Sequence, residues 1–233
     1  MGGAVVRLIQ QTPGVKLVGA IDRPRSSRVG RDAGEVVGVG RLGIRVSDQI
    51  ASLKGNFAII DFTNPKASLD YLRIAAKKKF PIVIGTTGFS AKELAEIKRL
   101  ARRTPVLFSA NMSVGVNLLV NLLGRVAETL GEDYDVEIVE VHHRFKKDAP
   151  SGTALALGRA VAQALKRDLD RVGVCGRKGI VGERTKKEIA LLSVRAGDIV
   201  GEHTVIFGGL GERIEFIHRA HSRDTFARGA IRA

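Results

Sequence analysis

Hydrophobic and polar positions along the first half of the chain alternate between helical and strand-like spacing. Residues 3–11 place apolar side chains at helical intervals, Thr12-Pro13-Gly14 reads as a turn, and the apolar run from Val15 to Ile21 predicts a buried strand ending at Asp22. Residues 57–62 predict the next strand, 66–77 a helix, 81–84 a strand and 106–109 another strand. Between the last two, residues 90–103 predict a helix opened by the capping box Ser90-Ala91-Lys92-Glu93, in which serine and glutamate satisfy each other's end of the first turn. Strands alternating with helices predict a parallel sheet, and so an α/β unit of the Rossmann-like, dinucleotide-binding kind.

The second half is organised differently. A helix over about 116–130 precedes a strand over 135–141, a helix from Thr153, and strands over 188–194, 203–207 and 212–218. Short links predict a mixed, largely antiparallel sheet, with Gly197, Gly201, Gly208, Gly209 and Gly211 as turns. The segment from Ser222 reads as a helix returning to the first domain. The expected division is therefore a dinucleotide-binding domain over 1–113 and 222–233, and an α+β substrate-binding and oligomerisation domain over 114–221.

Composition narrows the function classes. With 233 residues, 44% of them hydrophobic, the chain can bury a substantial core. Its single cysteine, Cys175, excludes an internal disulfide framework and offers no zinc-ligand spacing, so a reducing compartment, the cytoplasm, and no metal site are expected. The apolar runs are too short and too interrupted by charge to span a bilayer, and Met1-Gly2-Gly3 does not open a signal peptide. A net charge of +14 invites a nucleic-acid reading, but the cations are scattered over Lys77-Lys78-Lys79, Arg102-Arg103 and Arg184-Thr185-Lys186-Lys187 with few aromatics beside them. No specific nucleic-acid or membrane partner is expected. Such a surface suits a phosphate-bearing cofactor and a small dicarboxylate substrate.

Candidate chemistry is concentrated after the strand that ends near Val141. The run from His142 to Ala154 holds two imidazoles, three cations and a Ser-Gly-Thr turn. The strand end should present His142 and His143 where active-site groups of α/β folds collect. His142 and Lys146 are candidate proton donors to an atom that has just gained negative charge. Ser151-Gly152-Thr153 opens a helix, whose amides favour a carboxylate, with Arg144, Lys146 and Lys147 close in sequence. Pro150 restricts Ala149 to an extended shape and stiffens the loop. Each feature alone also reads as polar punctuation or a solvated loop; their coincidence in so short a stretch argues for a site. In the first half, Asp22 lies twenty positions after Gly2, the spacing at which a dinucleotide fold sets an acid against the ribose hydroxyls. Arg23 beside it could hold a 2′-phosphate, so the pair suggests use of both NADH and NADPH; an exposed Asp-Arg-Pro turn explains the same spacing.

The string His142-His143-Arg144-Phe145-Lys146-Lys147-Asp148-Ala149-Pro150-Ser151-Gly152-Thr153-Ala154-Leu155 resembles the signature of the 4-hydroxy-tetrahydrodipicolinate reductase (dihydrodipicolinate reductase) family. The resemblance extends through 60–65, Gly85-Thr86-Thr87-Gly88-Phe89, 109–117 and 194–203, nearly the whole chain. It implies hydride transfer from NADH or NADPH to a cyclic unsaturated dicarboxylate, with loss of water from its 4-hydroxy form, on the diaminopimelate route to lysine. It further implies Lys146 as proton donor, His142 as proton donor or acceptor, and His143, Gly152 and Thr153 as carboxylate ligands, with Arg144 in electrostatic support. Gly2, Asp22 and Arg23 would meet the cofactor, Gly85, Thr86, Thr87, Ser109, Ala110, Asn111 and Met112 its nicotinamide half, and the second sheet would build a homotetramer. Members of the family begin with a further strand and a G-x-x-G-R/K-M-G turn, of which Met1-Gly2 looks like the last two residues, and they continue beyond Ala233. A chain truncated at both ends is the expectation. The alternatives are another nicotinamide dehydrogenase of similar architecture, such as an aspartate dehydrogenase, which would lack the contiguous signature, and a non-catalytic dimerisation or binding module.

Overall fold

Residues 1–50 and 55–233 are described by a computed structural model. The chain separates into two units, Met1–Ser113 with Arg223–Ala233, and Val114–Ser222. Among the described residues no helix is long and apolar enough to cross a membrane.

In the first unit, helix α1 (Gly2–Ile9) buries Val5, Leu8 and Ile9. It is followed by β1 (Ala20–Ile21), α2 (Ala33–Val37), β2 (Val46–Ser47), β3 (Ile59–Asp61), α3 (Pro65–Lys78), β4 (Ile82–Ile84), α4 (Ala91–Leu100) and β5 (Val106–Phe108). Local chemistry sets these boundaries. Asn64 caps α3 by accepting from the Ala67 amide, with Pro65 in the first turn, where its missing N–H costs nothing. The Ser90–Glu93 capping box forms as expected at the start of α4.

Among the described residues these strands pair in parallel, in two sheets: β1 with β2, and β3-β4-β5 in register Ile59↔Ile82↔Val106. The expected strand over Val15–Ile21 is corrected to two residues. Leu17 is buried, but Val15 and Val18 are exposed, and among the described residues only Val46–Ser47 pairs with the segment. An apolar run becomes a strand only where a neighbour takes up its main-chain groups. Short α2 and β2 were not foreseen, because they rest on non-periodic contacts: the Asp32 carboxylate accepts from the amides of Gly34, Glu35, Leu42 and Gly43.

The second unit starts with α5 (Val114–Leu130) and β6 (Asp135–His142), then α6 (Gly152–Ala164), α7 (Leu169–Val172), β7 (Gly173–Val174), β8 (Ile189–Arg195), β9 (Gly201–Gly208) and β10 (Arg213–Ala220); α8 (Asp224–Arg232) belongs to the first unit. Its sheet runs β10-β9-β6-β8-β7. The pairings β10/β9 and β9/β6 are antiparallel; β6/β8 and β8/β7 are parallel. The sheet is thus mixed: the long α6 crossover makes β6 and β8 parallel, and the short link from β8 to β9 does not pair those two, since β6 lies between them. Val136, Ile138, Ile189, Leu191, Val205 and Phe207 bury one face of the sheet with Leu123 of α5 and Leu157 and Val161 of α6.

Candidate functional site

Along β6 burial alternates so that Val136, Ile138, Glu140 and His142 all point into the same face. The first two feed the core. Glu140 and His142 continue that face to the end of the strand, where the apolar lining gives way to titratable groups. Sheet register completes the group: Arg195 of β8 stands opposite His142, and His203 of β9 opposite Glu140.

The Glu140 carboxylate has no solvent exposure. Its Oε1 accepts from Arg195 Nη2 at 2.8 Å and from the Ser151 amide at 3.1 Å. Its Oε2 meets Arg195 Nη1 at 2.9 Å and His142 Nδ1 at 2.5 Å. Burial works against the charge, but the hydrogen bonds from Arg195, His142 and Ser193 outweigh it and hold the carboxyl down at about 2. Burial likewise pushes His142 below the ordinary imidazole range, more than its hydrogen bond to Glu140 pushes it up. His203, packed edge-on to His142 with ring centroids 5.2 Å apart, is lowered to about 4 by burial and then by the neighbouring His142. Both imidazoles are therefore neutral near pH 7.

The loop from His143 to Pro150 folds over this group. Arg144 N donates to Gly197 O at 3.0 Å, Arg195 Nη2 donates to Asp148 O at 2.7 Å, and the Ala149–Pro150 peptide is cis. Lys146 Nζ sits between the two oxygens of Asp148 at 2.8 and 2.9 Å. That hydrogen bond is the main reason the Asp148 carboxyl lies below its usual range. His143 Nδ1 is buried and has no hydrogen-bond partner among the described residues. Arg144 is exposed and stacks 6.0 Å over the exposed Phe145 ring, pointing to solvent-side support. Ser151 caps α6 by accepting from Ala154 N at 3.1 Å, and its hydroxyl lies 3.1 Å from His203 Nε2. Gly152 and Thr153 are the first residues of α6, so their amides lie in its opening turn, at the positive end of the helix.

The structure thus gathers His142, His143, Lys146, Gly152 and Thr153 at one end of β6 and α6. Sequence reasoning missed Glu140, Arg195 and His203. Glu140 left a signal: the polar-apolar alternation changes phase between Ile138 and Val139, so a strand of period 2 that buries Val136 and Ile138 must also bury Glu140.

In the first unit Asp22 follows β1. Its carboxylate accepts from Arg23 N and Ser26 Oγ, both at 2.8 Å, and faces Arg28 at 3.5 Å. A recess of about 560 Å³ is lined by Asp22, Arg23, Arg25, Ser26, Ser27 and Arg28. This donor set fits a ribose and a phosphate, as an adenosine end of a dinucleotide would require. Gly85, Thr86 and Thr87 follow β4, and Ser109 to Met112 follow β5, so both groups stand at the carboxyl edge of parallel strands. There the side chains divide. Thr87 and Ala110 are exposed. Thr86 is buried, donating to Asp61 at 3.2 Å and accepting from Thr63 N at 2.9 Å, and Met112 packs with Val83 and Ala230. Gly85 is required by packing, because a Cβ there would meet the Phe62 ring at 2.2 Å. Gly2 opens α1 and is exposed.

The family model for the N-terminus of dihydrodipicolinate reductase matches residues 1–112, and that for its C-terminus residues 115–233. A 4-hydroxy-tetrahydrodipicolinate reductase of Syntrophus aciditrophicus is 55% identical over 234 residues, covering 100% of this chain and 87% of that protein. The protein of the same name from Hahella chejuensis is 53% identical, covering 100% and 88%. A dipicolinate-bound dihydrodipicolinate reductase from Paenisporosarcina sp. TG-14 shares the fold with a TM-score of 0.75 at 22% identity, over 99% of this chain and 87% of that one. An amine dehydrogenase from Mycobacterium smegmatis follows at a TM-score of 0.57 and 17% identity, over 99% and 87%. With both halves matched and relatives this similar over its whole length, the chain belongs to the dihydrodipicolinate reductase family.

Proposed function

We propose that this chain reduces 4-hydroxy-tetrahydrodipicolinate to tetrahydrodipicolinate with NADH or NADPH, in lysine biosynthesis through diaminopimelate, and that the end of β6 is where substrate is held and protonated. Overall one hydride and one proton are taken up and one water is released. The observation that carries the reading is the convergence of polar groups at that strand end: the Lys146 ammonium, the buried His143 Nδ1, which has no hydrogen-bond partner among the described residues, and the opening amides of α6. Such groups suit a small dicarboxylate.

A bound nicotinamide supplies the hydride. His143 and the amides of Gly152 and Thr153 bind the carboxylates, fixing the ring's orientation before the hydride arrives. Lys146 holds the proton for the ring atom that gains charge, and Asp148, with its carboxylate on Nζ, steadies the ammonium. His142, neutral and buried, relays a proton through Nε2, the nitrogen not bound to Glu140. Arg144 adds positive potential at the rim. The assay is loss of reduced-nicotinamide absorbance on adding the freshly made cyclic dicarboxylate; no loss with either cofactor removes the reading.

Cofactor binding is assigned to Gly2, Asp22, Arg23, Gly85, Thr86, Thr87, Ser109, Ala110, Asn111 and Met112. Thr86 and Met112 act by shaping the strand ends, and the Asp22–Arg28 recess takes the adenosine side. Arg23→Ala is expected to weaken NADPH by about 1–3 kcal/mol, the scale of one charge-assisted contact, and to spare NADH. Equal losses for both cofactors in a binding titration would show that Arg23 does not read a 2′-phosphate.

We also assign the open face of the second sheet to a homotetramer. Val139, Val141, Leu192, Val194, Ile206 and Ile217 line it, and Val194 and Ile217 are 43% and 48% exposed. Val139→Asp is expected to shift sedimentation towards smaller species; an unchanged tetramer puts the interface elsewhere. A diffusing metabolite and a shared nicotinamide pool suit the cytoplasm.

A further inference from the structure

We infer that Glu140 is the positioning residue of this site: it fixes the His142 ring so that Nε2 is the nitrogen that takes up a proton, and through Arg195 it holds the loop that carries Lys146. This rests on the reductase reading for its kinetic consequence, though not for its geometry.

The geometry leaves little choice of tautomer. An ionised carboxylate only accepts hydrogen bonds. Glu140 Oε2 lies 2.5 Å from His142 Nδ1, so the hydrogen must sit on Nδ1, which leaves the lone pair of the neutral ring on Nε2. Gly201 of β9 keeps that side clear: a Cβ built on it would come within 3.0 Å of Nε2. The carboxylate that selects this tautomer is itself fixed, held by both terminal nitrogens of Arg195 and by the Ser151 amide.

From Glu140 the contacts run on without a break. Arg195 Nη2 also donates to the Asp148 carbonyl, and the Asp148 carboxylate holds Lys146 Nζ. A single buried carboxylate therefore sets both the proton-accepting nitrogen and the loop bearing the proton-holding cation. The titratable and charged groups facing His142 are Glu140 from its own strand, Arg195 from β8, His203 from β9 and Lys146 from the loop. Of these only Glu140 favours a hydrogen on Nδ1 through a direct bond. A bare counter-ion for Arg195 would need none of this: it would not have to reach His142 or the start of α6.

The test is Glu140→Gln, read in three ways on the full chain. Nitrogen-15 spectra of histidine-labelled protein, with His142 assigned by its loss in His142→Gln, should show a single Nδ1–H tautomer in the wild type. The variant should show a mixture, since an amide offers both a donor and an acceptor. The acid limb of kcat/KM, where His142 must lose its proton, should move to lower pH by about one unit once the supporting charge is gone. Turnover should fall roughly 10- to 100-fold with KM for NADH unchanged. If Arg195, left unpartnered, prevents folding, the double variant Glu140→Gln/Arg195→Met removes both charges and gives the same readings. A retained single tautomer and an unmoved acid limb, with only thermal stability lost, would reduce Glu140 to a counter-ion and overturn the proposal. Absence of any turnover in the wild type would instead remove the reductase reading and leave the tautomer result standing.

Discussion

Lys146→Ala and His142→Gln should each lower turnover by on the order of 10²–10⁴, the range for a lost general acid or base, while the dissociation constant for NADH should stay close to wild type. The two substitutions are chosen so that stability does not confuse the result. Removing Lys146 leaves the Asp148 carboxylate without its cation, but that side chain is 63% exposed and water takes over the hydrogen bonds. His142 is more delicate, because it faces a carboxylate with no exposure at all. Alanine there would leave Glu140 Oε2 one donor short, at a cost of about 1–3 kcal/mol or more for a charged group. Glutamine keeps an N–H within reach and removes only the capacity to exchange a proton. Both residues lie in the second unit, whereas the recess assigned to the adenosine side lies in the first, so cofactor affinity is the internal control. Turnover near wild type in both variants would take the proton chemistry away from β6; parallel loss of NADH binding would mean that the substitutions act through the fold.

Much of this site could be read along the chain, because its donors are neighbours in sequence. His142, His143, Lys146 and the Ser151-Gly152-Thr153 turn fall within one strand end, one loop and one helix start, and local rules predict all three. What could not be read is set by register. Arg195 comes 55 residues after Glu140 and His203 comes 52 after Ser151, yet the pairings of β6 with β8 and β9 place Arg195 opposite His142 and His203 opposite Glu140. No spacing rule encodes which strands become neighbours. The sheet order has the same origin: β8 and β9 are joined by a short link and still do not pair, because β6 enters between them. In the first unit the limits are different. The run from Val15 to Ile21 carries the composition of a buried strand, but main-chain pairing reaches only Ala20–Ile21. Thr86 looks like a ligand-facing hydroxyl from its place after β4; the fold instead spends it on Asp61, which also accepts from the hydroxyls of Thr63 and Ser68. A polar residue at a strand end serves the ligand or the strand, and only the partners decide.

Gly229→Ala should be among the most damaging single substitutions in the first unit, against what helix propensity predicts. Gly229 lies inside α8, where alanine is ordinarily worth up to about 1 kcal/mol over glycine. Here a Cβ would stand 1.7 Å from the Met112 carbonyl oxygen and 2.8 Å from its carbon. Both obstacles are main chain, so no rotamer change relieves them and the helix must back away from the segment that follows β5. That movement opens the packing of Ala227 and Ala230, which are 0% and 1% exposed, and of Met112 and Val83 beside Ala230. The expected loss is about 3 kcal/mol or more, at the upper end of overpacking costs. Because Ser109 to Met112 are assigned to the cofactor, NADH affinity should fall with it. Gly124→Ala in α5 is the control: its Cβ would meet nothing closer than the Ala160 carbonyl at 4.0 Å, so propensity acts unopposed and stability should rise by up to about 1 kcal/mol. Urea unfolding of the two variants beside the wild type decides it. If Gly229→Ala is as stable as Gly124→Ala, then α8 does not rest on the Met112 main chain, and the close packing of helix and strand end described for the first unit is wrong.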